Sequence, residues 1–161
     1  MKIWQAKKED IQQLCDLRNN EQLFRAYLDE CDGKCAYFLV AEIADKIVGF
    51  GLVYLEVTKN GKKKSHLPKL SDLFVGEKHR RKGVATALIQ EGELVAKNYG
   101  YSKLYVSIDP VDSSEMIFLA KKLSYIPLQE RPYPVSAIYY DMQGQAYEKH
   151  YFRLDFEKNL L

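Results

Sequence analysis

Leu73-Phe-Val-Gly-Glu-Lys-His-Arg-Arg-Lys-Gly-Val-Ala-Thr86 is the stretch whose reading decides the fold. Leu70–Val75 reads as a strand that runs into a basic turn, and Gly83 opens a helix. Along that helix Val84, Leu88, Glu91, Val95 and Tyr99 mark a mixed face, and Asn98 and Gly100 supply a C-terminal stop. Four cations, Lys78, Arg80, Arg81 and Lys82, sit just ahead of the helix N-terminus. There they oppose the helix dipole, at ~0.3–1 kcal/mol per exposed charge. Stability alone would place Asp or Ser at such a point. An anion held by the free backbone N–H groups reverses the sign of that term, and Gly83, lacking a Cβ, lets the backbone approach it. On charge alone a solvated basic loop is an equal reading. A Walker loop is excluded, since no G-x-x-x-x-G-K-[ST] occurs.

The rest of the chain frames that stretch. With 161 residues, 47% apolar and 29% charged, the sequence reads as one globular domain spanning 1–161, neither disordered nor collagen-like. The net charge of +2 hides a segregation. Lys59 to Lys82 holds nine basic residues against Asp72 and Glu77, so it carries +7 and the remainder −5. Cys15, Cys31 and Cys35 form no paired framework, and His66, His79 and His150 show no ligand spacing with them, so no metal is expected. The N-terminal MKIWQAKKED lacks the apolar stretch of a signal peptide, and no run reaches the ~18 apolar residues of a membrane span. A soluble, cytoplasmic protein is expected, without a membrane partner.

Periodicity supplies the other elements. Lys2–Gln5 is a short strand. Ile11, Leu14, Cys15 and Arg18, then Leu23, Phe24, Tyr27 and Leu28, recur at helical spacing. Ala36–Ala44 and Lys46–Val57 are strands joined at Ala44-Asp45, and Asn60-Gly61 supplies a second tight turn. Lys103–Ile108 is a strand, and Ser113 or Ser114 caps a helix whose buried stripe is Met116, Ile117, Leu119, Ala120 and Leu123. Strands near Ser136–Met142 and His150–Phe156 end the chain, the latter alternating Tyr151, Arg153, Asp155 against Phe152, Leu154, Phe156. The order is β-α-α-β-β-β-α-β-α-β-β. It predicts an α/β (α+β) fold with one mixed, mainly antiparallel sheet of six to seven strands and about four flanking helices.

These residues resemble a known family. Arg80-Arg81-Lys82-Gly83-Val84-Ala85 fits [RQ]-x-x-G-x-[GA], the pattern of the GNAT superfamily of N-acetyltransferases, with a strand before it and a long helix after. Lys103–Ile108 followed by Ser113–Tyr125 resembles the family's fifth strand and fourth helix, with Leu123-Ser124-Tyr125 where many members have Leu-Gly-Phe. Phe152-Arg-Leu-Asp-Phe156 resembles the usual last strand. The element order matches along nearly the whole chain, the motifs over about residues 70–125.

What the resemblance implies is direct transfer of the acetyl group of acetyl-CoA to a primary amine of a small molecule or peptide. The implied cofactor contacts are Leu73, Phe74 and Val75 on the strand, then Arg80, Arg81, Lys82, Gly83, Val84, Ala85 and Thr86, and lastly Ser113. Backbone N–H groups of Arg81–Thr86 would hold the pyrophosphate, and the strand edge would pair with the pantetheine arm. Many members carry a tyrosine on the fourth helix as general acid. Aligning back from Leu123-Ser124-Tyr125 puts Ala120 there, and the asparagine that often starts that helix is Ser113. Tyr125, Tyr133 or water would take the place of that acid.

For the general base or amine-orienting group the expectation is Asp72. Its neighbour Ser71 stands where several amine-acetylating members have a further acid, which weakens a polyamine-type acceptor. The plain alternative is a paired strand residue, and Glu56 is a weaker candidate. Asp29, Glu30 and Asp32 read as a solvated loop or as an attractor for a cationic amine. Tyr27, Tyr37 and Tyr133 are candidates to line an acceptor pocket. Lys59-Asn-Gly-Lys-Lys-Lys64 reads as a solvated hairpin tip; without interleaved aromatics it gives nucleic acid no stacking platform. The rival readings are an acyl-CoA-binding or regulatory module with little chemistry, motivated by Ala120, and, less favoured, a basic-hairpin nucleic-acid binder. Tyrosine-rich C-terminal strands are compatible with a homodimer.

Overall fold

In the computed structural model, which describes residues 1–57, 61, 66–141 and 143–161, the basic turn joins a strand to a helix of 16 residues. The chain divides into two compact units, Met1–Tyr105 with Asn159–Leu161, and Val106–Lys158. The first holds β1 (Lys2–Gln5), α1 (Ile11–Leu17), α2 (Glu21–Glu30), β2 (Ala36–Ile43), β3 (Lys46–Tyr54), β4 (Lys69–Val75), α3 (Val84–Tyr99) and the start of β5 (Lys103–Ile108). The second holds the end of β5, α4 (Ser114–Lys122), β6 (Ile126–Pro127), β7 (Tyr133–Tyr140) and most of β8 (Ala146–Asn159). The described residues thus form eight strands, against the six to seven expected. The addition is β6, whose two residues are too few to leave a periodic trace.

In the first unit β1 to β4 pair antiparallel in chain order, and one rung runs Trp4, Val40, Phe50, Phe74 across all four. On one face Leu14 and Phe24 from the helices join Phe38, Val40, Phe50, Leu52 and Tyr54 in a single core cluster. Phe50 meets Phe24 and Phe38 edge-on, at 5.3 and 5.9 Å between ring centroids, and stacks on Phe74 at 5.6 Å. The opposite face takes α3. A Cβ on Gly49 would stand 3.1 Å from Val84 and 2.9 Å from the Phe74 carbonyl oxygen, so the start of α3 sits tight on β3. Cover on both faces explains why β3 is buried from Ile47 to Tyr54 rather than in alternation.

The β3–β4 ladder slips once. Phe50 pairs with Phe74 and Leu52 with Ser71, so Asp72 and Leu73 together oppose Gly51, and Asp72 takes a left-handed φ of 44°. Such a bulge bends the strand and turns its backbone out of the ladder. The expected Ala44-Asp45 turn is present, with both residues at positive φ (50° and 63°). The Lys59–Lys64 cluster and the Asn60-Gly61 turn, Gly61 apart, lie outside the described residues, as does Met142.

In the second unit β8 pairs β7 from Tyr133↔Arg153 to Tyr140↔Ala146, and pairs β6 near its end. The expected alternation along β8 fails at both ends: Asp155 is buried, while Phe152 is 48% exposed. Asp155 is tolerated there because its carboxylate is hydrogen-bonded. It accepts from the Tyr133 hydroxyl at 2.9 and 2.8 Å and from Gln129 Nε2 at 3.0 Å. In α4 only Ala120 of the expected stripe is fully buried. Ser113 holds the N-cap position, yet its side chain makes no capping bond.

Candidate active site

The turn between β4 and α3 is built as the sequence suggests, with one addition. A short 3-10 turn, Glu77–His79, follows Gly76, and Arg80 is extended (φ −71°, ψ 153°). Arg81 and Gly83 then adopt left-handed backbone, φ 61° and 85°. Alternation of this kind aims successive N–H groups toward one side, the arrangement of an anion nest. No side chain caps α3. Its first-turn N–H groups, on Val84, Ala85 and Thr86, therefore face what lies beyond Gly83 with the positive end of the helix dipole behind them. A Cβ on Gly83 would meet nothing within 4 Å, so the space beside Gly83 is open. Uncapped donors, dipole and open space together fit a phosphate.

Arg80 does more than add charge. Its Nε donates to the Val75 carbonyl at 2.9 Å, and its guanidinium lies 5.7 Å from the Phe74 ring centroid. It therefore ties the turn back onto the end of β4. Lys78, Arg81 and Lys82 are exposed beside the nest.

Asp72 lies in the bulge, three residues before Val75. Arg18 Nη1 donates to both its carboxylate oxygens, at 2.9 and 3.1 Å, and the Tyr27 hydroxyl donates to Oδ2 at 2.6 Å. Burial, then the adjacent Asp72 charge, pushes the Tyr27 phenol well above its ordinary range, so it keeps its proton. The Arg18 guanidinium lies 5.7 Å from the Phe74 ring and 6.0 Å from that of Phe50. Arg18 is the residue that sequence reasoning missed. Its signal was a charge in the otherwise apolar series Ile11, Leu14, Cys15, Arg18.

In the first unit the structure thus brings together Asp72, Leu73, Phe74 and Val75 with Arg80 through Thr86. Ser113 and Tyr125 belong to the second unit. Tyr125 is buried just past α4, its N–H donating to the Ala120 carbonyl at 2.9 Å and Lys158 Nζ lying 5.6 Å from its ring. Tyr133 is committed to Asp155. Glu56 accepts from the Cys35 thiol at 3.4 Å and from the Tyr99 hydroxyl, so it braces three segments. Of the acidic trio, Glu30 accepts from Tyr54 at 3.1 Å, and Asp32 accepts from the N–H groups of Lys34, Cys35 and Ala36. Asp29 is exposed. Among the described residues no cluster of His, Cys, Asp and Glu is placed to hold a metal ion, and no helix is long and apolar enough to cross a membrane.

Comparison with known proteins places the chain in one family. The acetyltransferase (GNAT) family profile matches residues 3–125. The human protein N-acetyltransferase 8 is 30% identical over 117 residues, 71% of this chain and 49% of its own, so the chain spans about half of that relative. A ribosomal-protein-alanine N-acetyltransferase from Brucella melitensis has the same fold, with a TM-score of 0.70 at 16% identity over 99% of each chain. A GNAT family acetyltransferase from Elizabethkingia anophelis, solved with acetyl-CoA bound, gives 0.62 at 17% identity over 98% of this chain and 97% of its own.

Proposed function

From the premise that the chain belongs to the acetyltransferase (GNAT) family, we propose that it transfers the acetyl group of acetyl-CoA to a primary amine of a small molecule or peptide. One observation carries the reading: an uncapped helix N-terminus faces open space at Gly83, flanked by Arg81 and Lys82. The N–H groups of Arg81–Thr86 hold the pyrophosphate, and Leu73–Val75 lies along the pantetheine arm. When bound, the cofactor supplies an activated thioester. An N–H of the bulged strand that polarises the thioester carbonyl is worth about 2.7–4 kcal/mol in the transition state. Holding both reactants side by side adds roughly 7–11 kcal/mol.

The proton steps are less built. Ala120 stands where many members carry the acid, and a missing acid slows such a reaction by about 10²–10⁴-fold without abolishing it. The names of the Brucella and human relatives fit an amine acceptor, and that class is carried over here as part of the proposal. Residues 1–161 then act as one transferase domain in the cytoplasm.

Isothermal titration with acetyl-CoA tests the reading. Binding is expected in the wild type and lost in Gly83→Glu, whose side chain would place a carboxylate where the phosphate sits. No binding at millimolar cofactor sinks it. The rival, a cofactor-binding module without chemistry, rests on Ala120. Thiol release with spermidine, kanamycin and an alanine-initiated peptide separates the two, since an enzyme turns over one of them many times.

A further inference from the structure

We infer that Arg18 and Tyr27 clamp Asp72 so that it holds the β4 bulge in shape, making Asp72 a positioning residue and not the base that accepts the amine proton. The inference rests on the acetyltransferase reading and assigns this side chain a role within it.

Left-handed backbone is disfavoured for any residue with a Cβ, and Asp is among the few that visit it. It persists where the surroundings over-determine it. At Asp72 they do. A guanidinium just after α1 grips both carboxylate oxygens, and a phenol from α2 adds a short hydrogen bond. The same guanidinium lies near Phe50 and Phe74, the paired residues that close the ladder on one side of the bulge. Phe74 in turn lies near Arg80, which holds the Val75 carbonyl. A continuous set of contacts therefore frames residues 72 to 75, the segment that the cofactor arm must follow. A base, by contrast, must turn its carboxylate to the amine. Three donor contacts from Arg18 and Tyr27 fill most of the roughly four acceptor sites of the Asp72 carboxylate and hold it toward those two side chains.

Five substitutions separate strut from base. Asp72→Gly reaches positive φ without any clamp and is expected to lose less acetyl-CoA affinity than Asp72→Val. Asp72→Val resists that backbone and is expected to bind more than roughly tenfold more weakly while folded by circular dichroism, since displacing a positioning element by about 1 Å can cost 10²-fold. Arg18→Met is expected to bind about tenfold more weakly, with Arg18→Lys restoring part of the loss. Asp72→Asn accepts the same backbone and still accepts from Arg18. With the probe amines above it is expected to keep kcat within about tenfold and the acidic limb of the pH–rate profile in place.

A kcat loss of about 10²–10⁴ in Asp72→Asn, with that limb gone and cofactor affinity unchanged, makes Asp72 the base and overturns the proposal. So does wild-type affinity in folded Asp72→Val. A wild type that binds no acetyl-CoA defeats the functional reading instead. The clamp is then judged by the crystal structure of Arg18→Met, where residue 72 still at left-handed φ would overturn it and a relaxed φ would support it.

Discussion

At the residue scale, Gly83 combines two requirements that different substitutions pull apart. Its φ of 85° excludes most side chains, and the space in front of it must stay empty. Asn tolerates left-handed backbone, so Gly83→Asn is expected to keep apo stability within about 1 kcal/mol. Its side chain still enters the phosphate space, so acetyl-CoA affinity should fall by roughly tenfold or more. Calorimetry on the two states reads both numbers. Equal affinity would mean that the nest does not face the ligand. Gly83 and the basic run were legible because every part of the motif is local in sequence. The Arg18–Asp72 pair was not, since its partners are 54 residues apart and only folding brings them together. Asp72 itself is legible as an acid beside Leu73, while the partners that fix its surroundings are not.

Tyr125 shows the same limit from the other side. Its position in the sequence suggested an acid, but it is 3% exposed and follows the last turn of α4. Tyr125→Phe is expected to change kcat less than about tenfold, below the 10²–10⁴ of a positioned acid; a larger loss with intact fold would restore its catalytic role. Tyr99 offers a check on the protonation of exposed tyrosines. Its hydrogen bond to Glu56 pushes its phenol up to about 12. Because the folded value lies above the unfolded one, this bond's contribution is complete below about pH 10 and disappears as pH rises through the folded value. Ultraviolet titration of the phenolates should show one fewer late-ionising tyrosine in Glu56→Gln than in the wild type, where Tyr27, Tyr54 and Tyr139 also ionise late.

At the scale of elements, α3 and α4 end in the same way on different residues. Tyr101 N–H donates to Ala96 O and Gly100 N–H to Lys97 O; Tyr125 N–H donates to Ala120 O and Ser124 N–H to Lys121 O. Both sets are the paired bonds of a Schellman stop, which needs a left-handed residue where the chain turns away. Gly100 meets that need at φ 107°, whereas Ser124 bears a Cβ at φ 71°. The Leu-Ser-Tyr departure from the family's Leu-Gly-Phe thus has a conformational cost. Ser124→Gly is expected to stabilise the chain by ~1 kcal/mol, raising Tm by roughly 2–4 °C, and Gly100→Ala to lower stability by a similar amount. Thermal unfolding monitored by circular dichroism decides it, and a destabilised Ser124→Gly would refute the argument. Elements with strong periodicity or stop signals were readable in advance. The two-residue β6 and the bulge in β4 were not, because neither alters the spacing of apolar residues enough to register.

At the scale of the whole molecule, a balanced total of +2 contains a +7 segment and a −5 remainder. The basic segment ends where the uncapped helix begins, so its last charges, Arg81 and Lys82, adjoin the backbone donors proposed to hold the cofactor phosphate. The two contributions differ in their response to salt. Exposed Lys78, Arg81 and Lys82 act through solvent and are screened once the Debye length falls from about 10 Å at 0.1 M toward 3 Å at 1 M. Backbone N–H groups in contact with a phosphate are screened much less. Acetyl-CoA affinity should therefore fall by roughly tenfold between 0.05 and 0.5 M salt and then level off, held by the nest. Replacing Arg81 and Lys82 with Gln should flatten the dependence, with a residual affinity near the high-salt value. At a ligand concentration 100-fold above Kd the folded state gains about 2.7 kcal/mol, so the same titration can be followed through Tm. A steep slope that persists in the double variant would place the relevant charges elsewhere on the chain, and a salt-independent affinity would remove the basic segment from cofactor binding.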